Sequence, residues 1–364
     1  MRFYKSILGG LIILGVMHTS ILAQDISCEQ QLSAATAEFD AGRFYGVPAM
    51  LKPCIDNGFS RDQRKRAFLL LTQAYLLLDD PIGADNSYLE VLRADPEFLA
   101  DTARDQIDVV YLSKRFTAAP IFSLSGKVGG NFAPVRVIST INSSGESGVK
   151  NDYDVRIGFQ LGGGVDWHIS EQLAVTAELN YAFTSYKKEQ IKFNNDVEEF
   201  TDKQNWLSVP VGVKYTLFKR EQVRPFVFAG YAFNILFNDR GQIQVSKRDV
   251  GEGSLDESSP ELSFNNFRNK ANASFFVGAG AKYKVGVNFL FAEMRYNFGL
   301  TNIVKPTSTY GTTGPAVEYG HVDDYFRLDN FSISVGYVYP LYKARKVKRV
   351  RTKSVLKGIK KQEE

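Results

Sequence analysis

The chain of 364 residues carries two cysteines and three histidines, and both scarcities exclude classes of chemistry. Cys28 and Cys54 have no histidine near them, so they do not make a metal site, and no other cofactor is expected. Of the histidines, His18 falls in the N-terminal leader, His168 at a turn-side strand end, and His321 in a loop expected on the opposite side. A lipase or protease needs a nucleophile and a base together, so the chain reads as non-enzymatic. The run from His321 to Asp324 reads as a solvated acidic loop rather than a cation site. Beyond the leader, no segment offers the roughly 20 consecutive apolar residues that a membrane helix needs. Membrane residence therefore has to take the form of a closed β-barrel.

The leader itself has the layout of a secretory signal over residues 1–23. Arg2 and Lys5 are followed by an apolar run around Leu11 to Val16 and a cleavage point after Ala23. An N-terminal anchor is the alternative, but His18, Thr19 and Ser20 break a run already too short to span. No small-residue lipobox precedes Cys28.

What the chain has in abundance is alternation. From Val155 to Ile169, the residues Val155, Ile157, Phe159, Leu161, Val165, Trp167 and Ile169 alternate with Arg156, Gly158, Gln160, Gly162, Gly164, Asp166 and His168. A strand sends successive side chains to opposite faces, so this one has an apolar face and a face of charges and glycines. The same pattern recurs in Leu207 to Leu217, Leu290 to Phe298 and Phe331 to Tyr339. Eight strands are expected, at about 120–133, 154–169, 172–186, 204–218, 224–237, 271–284, 287–299 and 325–340. Tight joins alternate with long connections at 134–153, 187–203, 238–270 and 300–324. An even strand count with short turns on one side and long loops on the other is the layout of an outer-membrane barrel, with lipid as the solvent for the apolar faces. A lipocalin-type barrel would invert the faces, and a sandwich would not need so many inward charges. Trp167, Trp206, Tyr181 and Tyr339 are expected in aromatic girdles.

An eight-stranded barrel is about wide enough to be filled by its own side chains. The expected inward charges are Lys127, Arg156, Asp166, Glu178, Lys214, Lys282, Glu293 and Arg295, with small residues such as Gly126 and Gly278 around them. Mixed signs in a low-dielectric lumen favour ion pairs that plug it over a conducting pore. Gly162 to Gly164 lie mid-strand, where they allow close backbone packing rather than forming a phosphate loop.

Ahead of the barrel, residues 24–116 have helical periodicity. Phe68, Leu71, Thr72, Tyr75, Ala84, Tyr88, Val91 and Pro96 resemble the tetratricopeptide (TPR) spacing. A degenerate hairpin of helices at about 28–41 and 46–57 precedes them, and a further helix runs from Ala100 to about Lys114. Cys28 and Cys54 would lie at the same end of the first hairpin, where a disulfide is geometrically reasonable; two buried thiols are the other reading. After the barrel, residues 343–364 form a basic tail. Lys343, Arg345, Lys346, Lys348, Arg349, Arg351, Lys353, Lys357, Lys360 and Lys361 stand against only Glu363 and Glu364. In an exported protein the partner of such a tail is anionic cell wall or lipid rather than nucleic acid; a disordered solubilising end is the alternative.

Four segments occur in order: Phe122 to Asn131 (FSLSGKVGGN), Trp206 to Tyr215 (WLSVPVGVKY), Arg224 to Gly230 (RPFVFAG) and Glu293 to Gly299 (EMRYNFG). Together they resemble the outer-membrane β-barrel family of Bacteroidota that includes PorT-like proteins, over about residues 117–342. The resemblance implies a non-enzymatic barrel, with some members linked to secretion and gliding machinery. The expected fold is therefore α+β and multidomain: TPR-like helical hairpins followed by an eight-stranded antiparallel transmembrane barrel. An even strand number puts both termini on the short-turn, periplasmic side. The expected role is to anchor a periplasmic interaction module, residues 25–116, that binds envelope proteins as part of an assembly or secretion machine. The alternative is a small transporter or receptor whose long loops, especially 238–270 with Phe264 and Phe267, bind an external ligand.

Overall fold

The computed structural model describes residues 21–140, 151–191, 197–218, 221–250, 253–306 and 321–347. Most of the expected signal segment lies outside these residues, as do Lys348, Arg349, Arg351 and Lys353 of the tail. The chain divides into two compact units: Pro120–Leu341, and the residues that flank it on both sides.

In the flanking unit the helices are α1 (Ile21–Asp40), α2 (Val47–Asn57), α3 (Arg61–Leu77), α4 (Pro81–Ala94) and α5 (Ile107–Ser113). Among the described residues, no helix is long and apolar enough to cross a membrane. Local sequence sets the helix starts. Ser60 caps α3 in a reciprocal capping box with Gln63. Asp80 accepts hydrogen bonds from the Ile82 and Gly83 N–H groups, and Pro81 sits in the first turn, where no donor is needed. The buried faces then interlock. Phe68, Leu71 and Ala74 of α3 pack on Leu32, Ala35, Val47 and Leu51, while Ala84, Tyr88 and Leu92 of α4 join Val109, Leu112 and Phe116. Cys28 and Cys54 are joined by a disulfide, with their Cα atoms 5.7 Å apart.

Two expectations change here. The helix expected from Ala100 begins only at Ile107. Asp101 accepts from the Ala103 N–H and Asp105 from the Asp101 N–H, local side-chain bonds that compete with a helical turn. The first residues of the basic tail are also built into this unit: Arg345–Lys346 pairs with Phe116–Thr117, and Lys346 forms an ion pair with Asp85 while lying 5.9 Å over the Phe116 ring. Lys343 and Arg345 are exposed.

The other unit is an eight-stranded ring: β1 (Pro120–Phe132), β2 (Asn151–His168), β3 (Leu173–Ile191), β4 (Val197–Thr216), β5 (Val223–Val250), β6 (Ala271–Val285), β7 (Asn288–Gly299) and β8 (Asn330–Tyr342). Each strand pairs antiparallel with the next, and β8 returns to β1. The expected alternation holds across the ring. Leu124 and Val128 of β1, Leu161 and Val165 of β2, Val209 to Val213 at alternate positions of β4, and Ile333, Val335 and Tyr337 of β8 form an exposed apolar belt. Inside, Phe226, Phe228, Phe276, Phe289 and Phe291 pack into one wall of the lumen. Gly278 makes room for them, since a Cβ there would lie 2.3 Å from the Phe228 ring. Gly162 likewise admits Asn180, whose Oδ1 would be 1.9 Å from an added Cβ. Gly126, expected inside, faces open space instead, because it has the opposite parity to the buried Lys127.

The strands run well past the belt, and here the expected long loops are partly wrong. Residues 187–191 and 197–203 extend β3 and β4, with pairing out to Ile191 and Val197. β5 extends to Val250 and pairs with Gly253–Ser258 and Leu262–Ser263. The expected last strand is split: Tyr325–Leu328 pairs with Val135–Ser139 in a separate ribbon, and Asp329 separates it from β8. Beyond the belt both faces of these strands are polar or mixed, so alternation no longer marks them as strand.

Replacing both Cys28 and Cys54 with serine is expected to destabilise the helical unit by about 3.5 kcal/mol, the loop-closure entropy of a bridge that spans 26 residues. Urea unfolding followed by circular dichroism at the helix band would check it, and an unchanged midpoint would contradict it.

Candidate functional site

Inside the ring the charged side chains lie in layers. At the turn end, Lys214 Nζ lies 2.9 Å from both oxygens of Asp166, and Lys282 Nζ is 3.8 Å from the same carboxylate. Both ammonium groups sit over the Phe226 ring, at 5.5 and 5.4 Å from its centroid. The next layer is a charge-balanced quartet. Lys127 donates to Glu178 at 2.8 Å and to Glu293 at 2.6 Å, and Arg295 donates to Glu178 at 2.8 Å and to Glu293 at 3.3 Å. Arg295 is also held between the Phe228 and Phe276 rings. Removing such charges from water is costly, and only pairing of this completeness offsets it.

At the loop end, past the belt, lies a third buried group. The Arg268 side chain is fully buried; its Nε donates to Asp239 at 2.8 Å, Nη1 to Asp323 at 2.7 Å and Nη2 to Asp202 at 3.3 Å. Tyr186 donates to Asp202, and Tyr153 and Asn151 donate to Asp324, which Lys188 also contacts at 3.3 Å. His321 bridges Glu198 and Asp323 and stacks against Phe200 with ring centroids 4.2 Å apart. Burial disfavours a charged His321, but hydrogen bonds to Asp323 and Glu198 outweigh it and raise its pKa above the usual imidazole range. Burial likewise opposes charge on Asp323, yet the Arg268 guanidinium and His321 hold its carboxyl far below the usual range. The surrounding apolar residues include Phe200, Ile243, Phe264, Ile303 and Phe326.

The structure thus brings Lys127, Asp166, Glu178, Lys214, Lys282, Glu293 and Arg295 together in the lumen. Arg156 is not among them. It is exposed on the outside, because β2 carries a bulge between Arg156 and Phe159 that reverses which side chains point inward. Above the bulge, Tyr153 and Asn151 take the inward positions. Trp206 is not a girdle residue; it shares the parity of Ser208 and Lys214, is buried, and donates to Gln204. His321 and Asp324 are buried rather than solvated. Phe264 is buried in the cap, and Phe267 packs against that core, so neither is displayed as a ligand-binding aromatic. His168 Nε2 lies 2.7 Å from Ser123 Oγ, but Ser123 is only 2% exposed and out of reach of a substrate carbonyl. Among the described residues, no group of three or more His, Cys, Asp and Glu side chains is arranged to hold a metal ion. The cap residues Arg268, Asp202, Asp239 and Lys188 went unread in the sequence. The available signal was the even-numbered run Tyr186, Lys188 and Gln190 facing Glu198, Phe200 and Asp202, all buried.

Removing one charge from a buried network leaves its partners uncompensated. Glu178→Gln in the quartet and Arg268→Leu in the cap are each expected to cost about 3–5 kcal/mol, measured by urea unfolding in detergent micelles. A loss below 1 kcal/mol for either would show that water reaches the group. Because the folded-state pKa of His321 is raised, its contribution is fully present below the ordinary imidazole range and is lost as pH rises through the folded value. The stability difference between the natural protein and His321→Gln should therefore shrink from acidic to alkaline pH. A difference that is constant or grows would refute the charged bridge.

Residues 121–305 match the family model described as "Outer membrane protein beta-barrel domain". Similar solved structures include Neisserial surface protein A, at 14% identity over 60% of this chain and 97% of that one, with a TM-score of 0.31. OprG from Pseudomonas aeruginosa is 12% identical over 63% of this chain and 98% of its own, with a TM-score of 0.34. Ail, the attachment invasion locus protein of Yersinia pestis, is 14% identical over 60% and 98%, with a TM-score of 0.25. No curated protein matches. With the family model spanning just over half of the chain, and with a closed ring belted by apolar side chains, this chain belongs to the outer-membrane β-barrel domain family of the bacterial outer membrane.

Proposed function

We propose that the chain is a non-enzymatic outer-membrane anchor that holds a helical interaction module in the periplasm. The observation that carries this reading is the set of charged layers that cross the lumen. Asp166 with Lys214 and Lys282, the balanced quartet around Glu178 and Glu293, and the Arg268 cap lie at successive levels, each holding oppositely charged groups in contact inside the ring. A pore would have to break these pairs and leave charges unpaired in a low dielectric.

The helical unit supplies the interaction surface in this reading. It has its own cores, a disulfide suited to an oxidising compartment, and the TPR-like positions Phe68, Leu71, Ala84, Tyr88 and Val91 packed in them. Short turns on one side of the ring put both termini in the periplasm by the usual barrel topology, so residues 24–116 and the basic tail share that compartment. The tail then reaches anionic cell wall or lipid headgroups. Residues 1–23 act as the export signal. The resemblance to PorT-like barrels supports a place in an envelope assembly or secretion machine.

In planar bilayers the full-length protein should produce no steady ion conductance, and steady single-channel steps would sink the anchor reading. Gentle detergent extraction should recover envelope proteins in stoichiometric amount with the full chain, and a variant lacking residues 25–116 should lose them. Identical recovery from both would show that the helical unit is not the module.

A further inference from the structure

At the loop end of the apolar belt, outward aromatic side chains meet on adjoining strands. Phe132 of β1 stacks on Phe331 of β8 with ring centroids 6.4 Å apart, and Tyr296 and Phe298 of β7 lie 4.5 Å apart. A band of this kind marks the level at which hydrocarbon gives way to lipid headgroups. Two arginines stand next to it. In the ribbon formed by Val135–Ser139 and Tyr325–Leu328, Arg136 is directly opposite Arg327. The adjacent pair, Val135 and Leu328, packs on the cap core, and Phe326 is buried in it, so alternation puts both arginines on the outer face. Like charges placed directly opposite on one face repel.

A single carboxylate serves this pair. Arg136 Nη2 donates to Asp329 Oδ1 at 2.9 Å and to the Gly299 carbonyl at 2.7 Å, and Tyr296 Oη donates to Asp329 Oδ2 at 3.2 Å. The same carboxylate therefore ties the Arg136 guanidinium to the aromatic band. Asp329 Oδ1 also accepts from the Gly299 N–H. Arg327 is half-buried and has no acceptor among the described residues, its Nε included. One positive charge is thus left unbalanced at the headgroup level.

We propose that the Arg136–Arg327 pair is a docking site for the phosphate monoester of an anionic lipid headgroup. The oxygens of one phosphate can accept from both guanidinium forks and turn their repulsion into attraction. The acyl chains would lie on the exposed Phe132, Val128 and Ile333 of the belt below, a contact that free phosphate lacks. The site is separate from the basic tail and does not depend on the anchor reading.

The full-length protein in dodecyl maltoside micelles would be titrated with dioleoyl phosphatidic acid and with dioleoyl phosphatidylcholine, and bound lipid counted by native mass spectrometry. The expected result is one tightly held phosphatidic acid per chain, not matched by phosphatidylcholine, that Arg327→Gln holds about tenfold more weakly. Arg327 makes no pair that this variant would break, so the loss would not come from unfolding. Lys203→Gln removes the same charge from a side chain already paired with Glu261 and should leave the lipid in place. Lipid on the basic tail is common to all three proteins. The proposal is overturned if phosphatidylcholine is held equally well, if Arg327→Gln keeps the tightly held lipid, or if Lys203→Gln weakens it as much. Displacement of the lipid by an equal concentration of inorganic phosphate would overturn it too, by showing a free-phosphate site.

Discussion

Everything in the barrel unit follows from the return of β8 to β1. In a hydrocarbon environment no water is available to satisfy a free strand edge, so a sheet is stable there only when its last strand pairs with its first. Closure fixes the sheet as a ring of eight, and a ring of eight is narrow. One face of each strand must then be apolar for lipid, and the opposite faces are pressed together in the lumen. Polar groups confined at that distance must satisfy one another. The paired layers of lysine, arginine, aspartate and glutamate are thus a consequence of closure.

The ladder also shows how local exceptions are absorbed. Pro210 lies in the middle of β4 and cannot donate to a neighbour. It is paired opposite Ala232 of β5, while the register toward β3 passes from Val211 to Ser208 without a pair at Pro210. The missing donor thus falls on one side only, and the ring stays continuous around it. On the neighbouring strands β5 to β7, phenylalanines take inward positions and lie against the cations, so the lumen is partly an aromatic core and partly an ionic one.

Much of this was legible from alternation, because the belt strands have one unambiguous apolar face. Leu207 to Leu217 or Phe331 to Tyr339 can be read by eye, and the inward charges Lys127, Asp166, Glu178, Lys214, Lys282, Glu293 and Arg295 follow from the parity of their neighbours. The helical unit was legible from its spacing, apart from the Asp101–Asp105 turn. Legibility failed where the physical contrast failed. Past the belt, water or a polar interior replaces lipid, and Lys187, Glu189, Glu199 and Asp202 look like loop. Arg156 was misplaced because a bulge cannot be seen in a pattern of two. Trp206 goes against its residue type, because its parity with Ser208 and Lys214 turns it inward. The cap needed contacts between residues as distant in sequence as Asp202 and Asp323, which no local pattern carries.

The bulge in β2 and another in β5, opposite Asn205 and Trp206, have a further meaning. In β2 the inward positions switch between Gly158 and Tyr153, and in β5 the extra residue Phe237 switches them between Leu236 and Asp239. Each of these strands therefore carries two frames, one for the lipid-spanned ring and one for the cap, separated by a single inserted residue. The two regions are uncoupled in parity even though they share continuous strands. A lineage could rewrite the residues of the outer frame, or slip it by one, and change what the loop end presents while the ring below keeps every side chain on its present face. The bulge is thus a joint between a part of the molecule bound by the membrane and a part free to vary.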